Sequence, residues 1–334
     1  MTVRVGLVGS GRIGRVHAEA YRSVVGGELA ACTDVIAATA EAFARDHGVE
    51  TVASFEAMLA REDIDAVLIA TPNGLHPSQT IAALRAGKHV FCQKPIALTL
   101  AEADQVVRAA EGAAPLLQFG FMLRFTPPFP QVHQRIARGE LGAPIASRAA
   151  VFGWEPSADW FYRKDSGGGV VLDTLVHFAD LLLWCLGPVT RVYADGGAYV
   201  LEGSKRHASP DNATIQLRHA SGATTSLYAT WTAGHGNLTF EVYGTDASLS
   251  VDLVEKQVVR MHRRRPLNGD AAGFGFPDLV WSYGYAGEQQ YFVDRIRGAV
   301  DGTLATTPAE ARAALALVLA MQESLDSEAV VALA

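Results

Sequence analysis

The first residues that could do chemistry are Gly9-Ser10-Gly11-Arg12-Ile13-Gly14. They follow directly on an apolar run from Val3 to Val8 and lead into a helical pattern. In such a turn the first glycine permits the tight bend, the second lets a pyrophosphate approach the backbone, and the third lets helix and strand pack closely. The helix start, with Arg12 and Ile13 in its first turn, offers unpaired N–H groups and the positive end of its dipole to phosphates. Asp34 ends the next apolar run, about 20 residues beyond Gly14, where a carboxylate accepts hydrogen bonds from the hydroxyls of an adenine ribose. The residues after it, Val35, Ile36, Ala37 and Ala38, bring no cation for a 2′-phosphate. The expected cofactor is NAD rather than NADP.

A second cluster lies where later strands end. The run at 65–70 leads into Thr71-Pro72-Asn73-Gly74-Leu75-His76, and the run at 89–93 into Gln93-Lys94-Pro95. Open α/β sheets present their ligand crevice at the carboxyl ends of their strands. Further along, Gly167-Gly168-Gly169 precedes a helical stretch carrying Asp173, His177 and Asp180, whose spacings predict a single helix face. A histidine titrating near neutrality suits proton transfer, and a lysine suits support of a developing oxyanion. Spacing alone leaves structural roles open for both. His17, on the first helix, is expected to pack against the sheet.

These residues need a scaffold, and the apolar periodicity supplies one. Strands are predicted at 3–8, 29–34, 65–70, 89–93 and 116–119, with a weaker one at 50–53. Helices are predicted between them, at 12–24, 36–47, 55–61, 76–86 and 100–111. Strands rich in Val, Ile and Leu that alternate with helices imply a parallel sheet covered on both faces. Thr99-Leu100-Ala101-Glu102 has the spacing of a capping box. After Pro127 and Pro128 the rhythm changes to helices at 129–138 and 170–186 and strands at 145–152, 189–194, 212–218, 223–232, 237–243 and 247–252. Turns such as Ser221-Gly222 suit antiparallel connections. A last helix opens at Thr307-Pro308-Ala309-Glu310. The fold class is α/β: a doubly wound Rossmann domain at 1–122, then an α+β domain on a largely antiparallel sheet at 123–334.

A formal net charge of −7 disfavours a nucleic-acid partner, which needs clustered positive charge. Arg263-Arg264-Arg265, beside Arg260 and His262, reads as a solvated strand end and turn. Cys32, Cys92 and Cys185 have no paired spacing and read as small buried hydrophobes in a reducing compartment. No cluster has metal-ligand spacing, no apolar run reaches membrane-spanning length, and no leader pattern opens the chain. The expected protein is cytoplasmic, with neither a membrane nor a metal.

The glycine turn, Asp34, the T-P-N-x-x-H run at 71–76, Lys94-Pro95, and D-x-x-x-H-x-x-D at 173–180 together resemble the Gfo/Idh/MocA family of oxidoreductases. That family is named for glucose–fructose oxidoreductase, inositol dehydrogenase and a rhizopine-catabolism protein. The resemblance extends to Gly-Phe-Met-Leu-Arg-Phe at 120–125 and Glu323-Ser324. It implies hydride transfer between NAD and a secondary alcohol or ketone of a sugar, cyclitol or related polyol. It also implies that Lys94 and His177 meet at the substrate hydroxyl in a crevice between the domains, with Asp173 beside them. His177 is then the general base, Asp173 its orienting partner and Lys94 the donor to the oxygen. The family pattern sets the 71–76 turn, including Thr71, Pro72, Asn73 and His76, against the nicotinamide end of the cofactor, beside Gln93 and Lys94. Arg124, Trp160, Arg163 and Tyr285 are further candidates for gripping substrate. A homodimer or homotetramer, formed through the outer face of the second sheet, follows from the same resemblance.

Two positions depart from the family pattern. Gln93 stands where Glu usually precedes Lys-Pro, which predicts a less strongly protonated Lys94. Leu123 stands where a second arginine is common, which makes a strongly anionic substrate less expected. Two rival functions stay open: glycoside hydrolysis through transient oxidation by bound NAD, and non-catalytic NAD(H) sensing. A sensor needs neither Lys94 nor His177.

Overall fold

The computed structural model describes residues 2–153, 155–156, 158–253, 258–263, 273–274 and 284–333. Contacts divide the chain into two units, 1–126 with 282–313 and 127–281 with 314–334. The first break thus falls at 126 rather than 122. The stretch 282–313, expected in the second domain, belongs to the first.

The first unit alternates strand and helix: β1 (Val3–Val8), α1 (Arg12–Tyr21), β2 (Gly27–Thr33), α2 (Ala37–His47), β3 (Glu50–Thr51), α3 (Phe55–Leu59), β4 (Ala66–Ile69), α4 (His76–Arg85), β5 (His89–Gln93), α5 (Leu100–Ala110) and β6 (Leu117–Gly120). All its strand pairs are parallel, in the order β3-β2-β1-β4-β5-β6. This is the doubly wound Rossmann order, in which the strand order reverses between β1 and β4 and opens the ligand crevice there. The core holds Val5, Leu7, Phe43, Leu68 and Phe91. The Thr99 capping box is present, with Thr99 and Glu102 exchanging both bonds.

The second unit contains α6 (Pro128–Ala137), β7 (Pro144–Phe152), α7 (Gly169–Asp173), α8 (Leu175–Leu186), β8 (Val189–Gly197), α9 (Glu202–His207), β9 (Asn212–His219), β10 (Thr224–Thr230), β11 (Asn237–Gly244), β12 (Ala247–Asp252), β13 (Val258–Arg263) and β14 (Gly273–Phe274). Then α10 (Tyr285–Ile296) returns to the first unit, and α11 (Pro308–Ser327) carries the boundary between Ala313 and Ala314. Phe292 and Val293 of α10 are fully buried in the first core. Truncating such a phenylalanine costs about 3–5 kcal/mol, which is why α10 goes with that unit.

With β15 (Val331–Ala332), the described strands of the second unit form one sheet, ordered β14-β13-β12-β11-β7-β10-β9-β8-β15. Its pairs are antiparallel except β7 with β10. Alternation along β9 and β10 buries Ile215, Leu217 and Leu227 on one face and leaves Gln216, Ser226 and Tyr228 exposed on the other. The helix α8 is buried nearly all round, as a helix apolar on every side must be. Backbone pairing puts Arg260 and His262 in β13 and Arg263 at its end; Arg264 and Arg265 lie outside the described residues. The three cysteines are buried and form no disulfide with one another. Among the described residues no helix is long and apolar enough to cross a membrane, and no cluster of His, Cys, Asp or Glu could hold a metal.

Candidate functional site

The glycine turn joins β1 to α1. Gly9 has φ +96°, and a Cβ there would lie 2.7 Å from the Ala70 carbonyl oxygen, so the turn presses on the chain leaving β4. A Cβ on Gly14 would lie 2.4 Å from the Gly9 carbonyl oxygen, so α1 sits directly on the turn. Gly11 is the opposite case: it is exposed, with nothing within 4 Å of a Cβ. No side chain caps α1 at Gly11, beside the exposed Arg12 and half-buried Ile13. The open backbone at the helix start fits a pyrophosphate.

Asp34 follows β2. Its Oδ2 accepts from the Ser10 N–H at 2.8 Å and its Oδ1 from the Ile36 N–H at 3.0 Å. The carboxylate is fixed at both oxygens, yet each keeps a further lone pair for a ribose hydroxyl. Turn and carboxylate are thus one unit that fits the adenosine half of NAD.

The turn after β4 is a short 3-10 helix, Asn73–Leu75, leading into α4. Asn73 is buried, and the Thr71 hydroxyl donates to Gln79 Oε1 at 2.6 Å. His76 is fully buried, with Nδ1 2.8 Å from the Pro95 carbonyl oxygen and Nε2 2.9 Å from that of Thr71. A ring spent on two backbone carbonyls joins the two turns and cannot itself touch a cofactor. The contact expected of this turn with the cofactor is mostly through backbone and does not need the ring. Burial lowers its pKa, and the Lys94 charge lowers it too, against the two carbonyls that raise it.

Lys94 is half-buried immediately after β5, with a cis bond to Pro95. Its neighbour Gln93 is 7% exposed, with Nε2 2.5 Å from His17 Nε2. The Gln93 side chain is therefore held inside the unit rather than offered to a cofactor. His17 is fully buried, edge-on to Phe91 and to Tyr285, with Nδ1 3.2 Å from the Gln289 amide. Packing on the sheet is as the sequence predicts; the bridge to Gln93 and to α10 is not. Gln289 lies far along the chain from both partners, so no local spacing signals it. Tyr285, expected to grip substrate, packs its ring on His17.

Arg124, another expected substrate contact, is 2% exposed and pairs with Glu310 of α11. Burial alone would raise the Glu310 pKa, but the Arg124 charge and bonds from Thr307 outweigh it and hold the carboxyl low. The Arg124 guanidinium thus makes an ion pair inside the first unit. Its neighbour Leu123 is a core residue.

In the second unit the path from Gly169 breaks at Thr174, so Asp173 ends α7 while His177 and Asp180 lie on α8. The expected single helix is thus two. The Trp231 indole N–H donates to Thr174 Oγ1 at 2.9 Å and fixes the joint. Asp173 and His177 are 7% and 8% exposed, and Asp180 is fully enclosed. Trp160 stacks on Phe161 at 3.8 Å, and exposed Arg163 makes a two-pronged bond to Asp165.

Two family models match the chain. The GFO/IDH/MocA oxidoreductase family, with its NAD-binding Rossmann fold, matches residues 3–121, and the GFO/IDH/MocA C-terminal domain matches 129–250. The 1,5-anhydro-D-fructose reductase of Ensifer adhaerens is 35% identical over 257 residues, covering 74% of each chain. The inositol 2-dehydrogenase of Rhizobium meliloti is 31% identical over 336 residues, covering 97% of each. Among solved structures, the WlbA dehydrogenase of Bordetella pertussis in complex with NADH and UDP-GlcNAcA is 25% identical with TM-score 0.86, covering 100% of this chain and 98% of that one. With the dinucleotide turn, Asp34 and the Rossmann strand order already in place, these similarities establish that the chain belongs to the GFO/IDH/MocA oxidoreductase family and is an NAD-dependent oxidoreductase.

Proposed function

We propose that this enzyme interconverts a secondary alcohol and a ketone on a polyhydroxylated ring, a cyclitol or a sugar. The observation that carries this is Lys94, a half-buried cation on the strand end next to the Thr71 turn, which itself lies against the glycine cradle. The named relatives, a sugar reductase and an inositol dehydrogenase, support the substrate class. Bound NAD supplies the hydride acceptor. His177 takes the hydroxyl proton, which it can do because an imidazole titrates near neutrality. Asp173 orients that imidazole and favours its charged form. Lys94 donates to the substrate oxygen as negative charge develops on it, an effect usually worth a few kcal/mol. Thr71, Pro72 and Asn73 shape the nicotinamide end of the cofactor site, and Trp160 and Arg163 contact the substrate. We also infer that the open face of the second sheet pairs copies of the chain. It carries exposed Tyr193, Tyr228 and Tyr243, and a depression of about 380 Å³ lined by Arg148, Phe152 and Tyr228.

The test is a screen of cyclitols and sugars for NADH absorbance, with NADP in parallel. Lys94→Ala and His177→Ala should each lower kcat by about 10²-fold, with NADH binding retained. Acting on one oxygen, they should lose less together than the product of the single losses. Near-normal turnover by His177→Ala across pH would send the search for the base elsewhere. Sugar conversion without net NADH would point to hydrolysis.

A further inference from the structure

Lys94 is flanked by two residues, and each is gripped by a different fully buried histidine. On one side, His17 Nε2 meets the Gln93 side-chain amide at 2.5 Å; on the other, His76 Nδ1 meets the Pro95 carbonyl oxygen at 2.8 Å. The two rings come from different helices, α1 and α4, and both are anchored beyond the lysine strand. His17 reaches Gln289 on α10, and His76 reaches the Thr71 carbonyl at the end of β4. A buried polar ring would be a liability unless its bonds were made, since a buried group without a partner loses its hydration and gains nothing in return. Here those bonds converge on residues 93 and 95.

We propose that His17 and His76 are positioning residues that hold the Lys94 side chain in its working direction by fixing the residues before and after it. The inference rests on the role proposed for Lys94 and extends it to two histidines that touch neither substrate nor cofactor. The geometry also sets their protonation. Both ring nitrogens of His17 face amide nitrogens, Nε2 that of Gln93 and Nδ1 that of Gln289, so a neutral ring accepts from one of the two amide N–H groups. Burial drives the His17 pKa down to about 3, in keeping with that neutral form. Phe91 and Tyr285 pack against the ring in T-shaped contacts and bring no charge. His76 faces two carbonyl acceptors, so its neutral ring donates its one N–H to one of them, and burial with the Lys94 charge beside it favours that neutral form over a second cation. Holding both rings neutral leaves Lys94 as the cation of this corner. Position matters at this level because a displacement of about 1 Å in a reacting group can cost about 10²-fold in rate.

The chain has five lysines, so lysine labelled with ¹³C at Cε gives a simple spectrum of the cofactor-free protein. Lys94→Met identifies the Lys94 signal. Replacing His17 or His76 by Phe keeps a ring of similar size and removes the bonds. Each should move the Lys94 signal and its titration while Lys164 and Lys205 stay in place, and should lower kcat by about tenfold or more. His17→Gln and His76→Gln keep a side-chain donor and should restore much of both. A Lys94 signal unmoved in both Phe variants would overturn the proposal, and so would Gln variants as impaired as the Phe variants. If Lys94→Met were itself fully active, the catalytic role of the lysine would fail, while the spectrum would still decide whether the histidines hold it.

Discussion

Asp34 serves two ends, and substitutions can separate them. Its charge disfavours a 2′-phosphate, while its oxygens hold the glycine turn through Ser10 and the start of α2 through Ile36. Asp34→Asn keeps an oxygen for Ser10 but loses the charge. It should therefore retain most NAD affinity while narrowing the preference over NADP by about tenfold or more, which corresponds to about 1.4 kcal/mol. Asp34→Ala should weaken NAD as well, because the turn loses its anchor. Titration of both cofactors by fluorescence reads the two effects, and an Asn variant with unchanged preference would move the discrimination to another residue. Gln93 carries a related lesson. Its replacement of a carboxylate was expected to act on Lys94, but the side chain lies on His17. The first group to feel a charge at 93 would be that imidazole.

The helix α10 brings an ionisable group into a place that cannot solvate it. Glu288 is fully buried beside Tyr21, and its burial raises the carboxyl pKa well above the ordinary value. The folded protein thus keeps a proton there that the unfolded chain releases above about pH 4.3. Each further pH unit, up to the raised folded pKa, removes about 1.4 kcal/mol of stability. Glu288→Gln keeps the shape and removes this linkage. It should raise Tm at pH 7–8, by about 2–4 °C for each kcal/mol gained, with the gain shrinking toward pH 4.5. Equal shifts at both pH values would mean that Glu288 is ionised in the fold. His17 has the opposite sign: its lowered pKa makes stability fall as pH drops below about 6.5.

For the whole chain, assembly is the property most open to test. The second sheet buries one face within its own unit and leaves three tyrosines on the other. Aromatic residues of this kind are enriched at the centres of protein interfaces. Tyr228→Glu would place a charge at the middle of that face, beside the depression lined by Phe152. Light scattering should show a fall in assembly size with the cofactor affinity of the first unit unchanged. The same mass for both proteins would take the interface to another surface.

The Rossmann order, the glycine turn and Asp34 were legible in the residues because each depends on short-range rules. Apolar runs that alternate with helical patterns allow few topologies, and a dinucleotide turn needs glycine where a Cβ would strike Ala70 or Gly9. The place of Lys94 was legible for the same reason, since it directly follows a strand that the pattern defines. What the chain order concealed was every feature made by distant segments. The stretch 282–313 folds back into the first unit because Phe292 and Val293 complete its core. Gln289 and Glu310 become partners of His17 and Arg124 only when that return is made. Arg124, His76 and Gln93 have chemistry fit for a ligand, and the family resemblance offered them as contacts. Their burial shows which protein groups they engage, because a polar side chain enclosed in protein must satisfy itself with the groups packed around it. Those groups are assembled only by the tertiary fold.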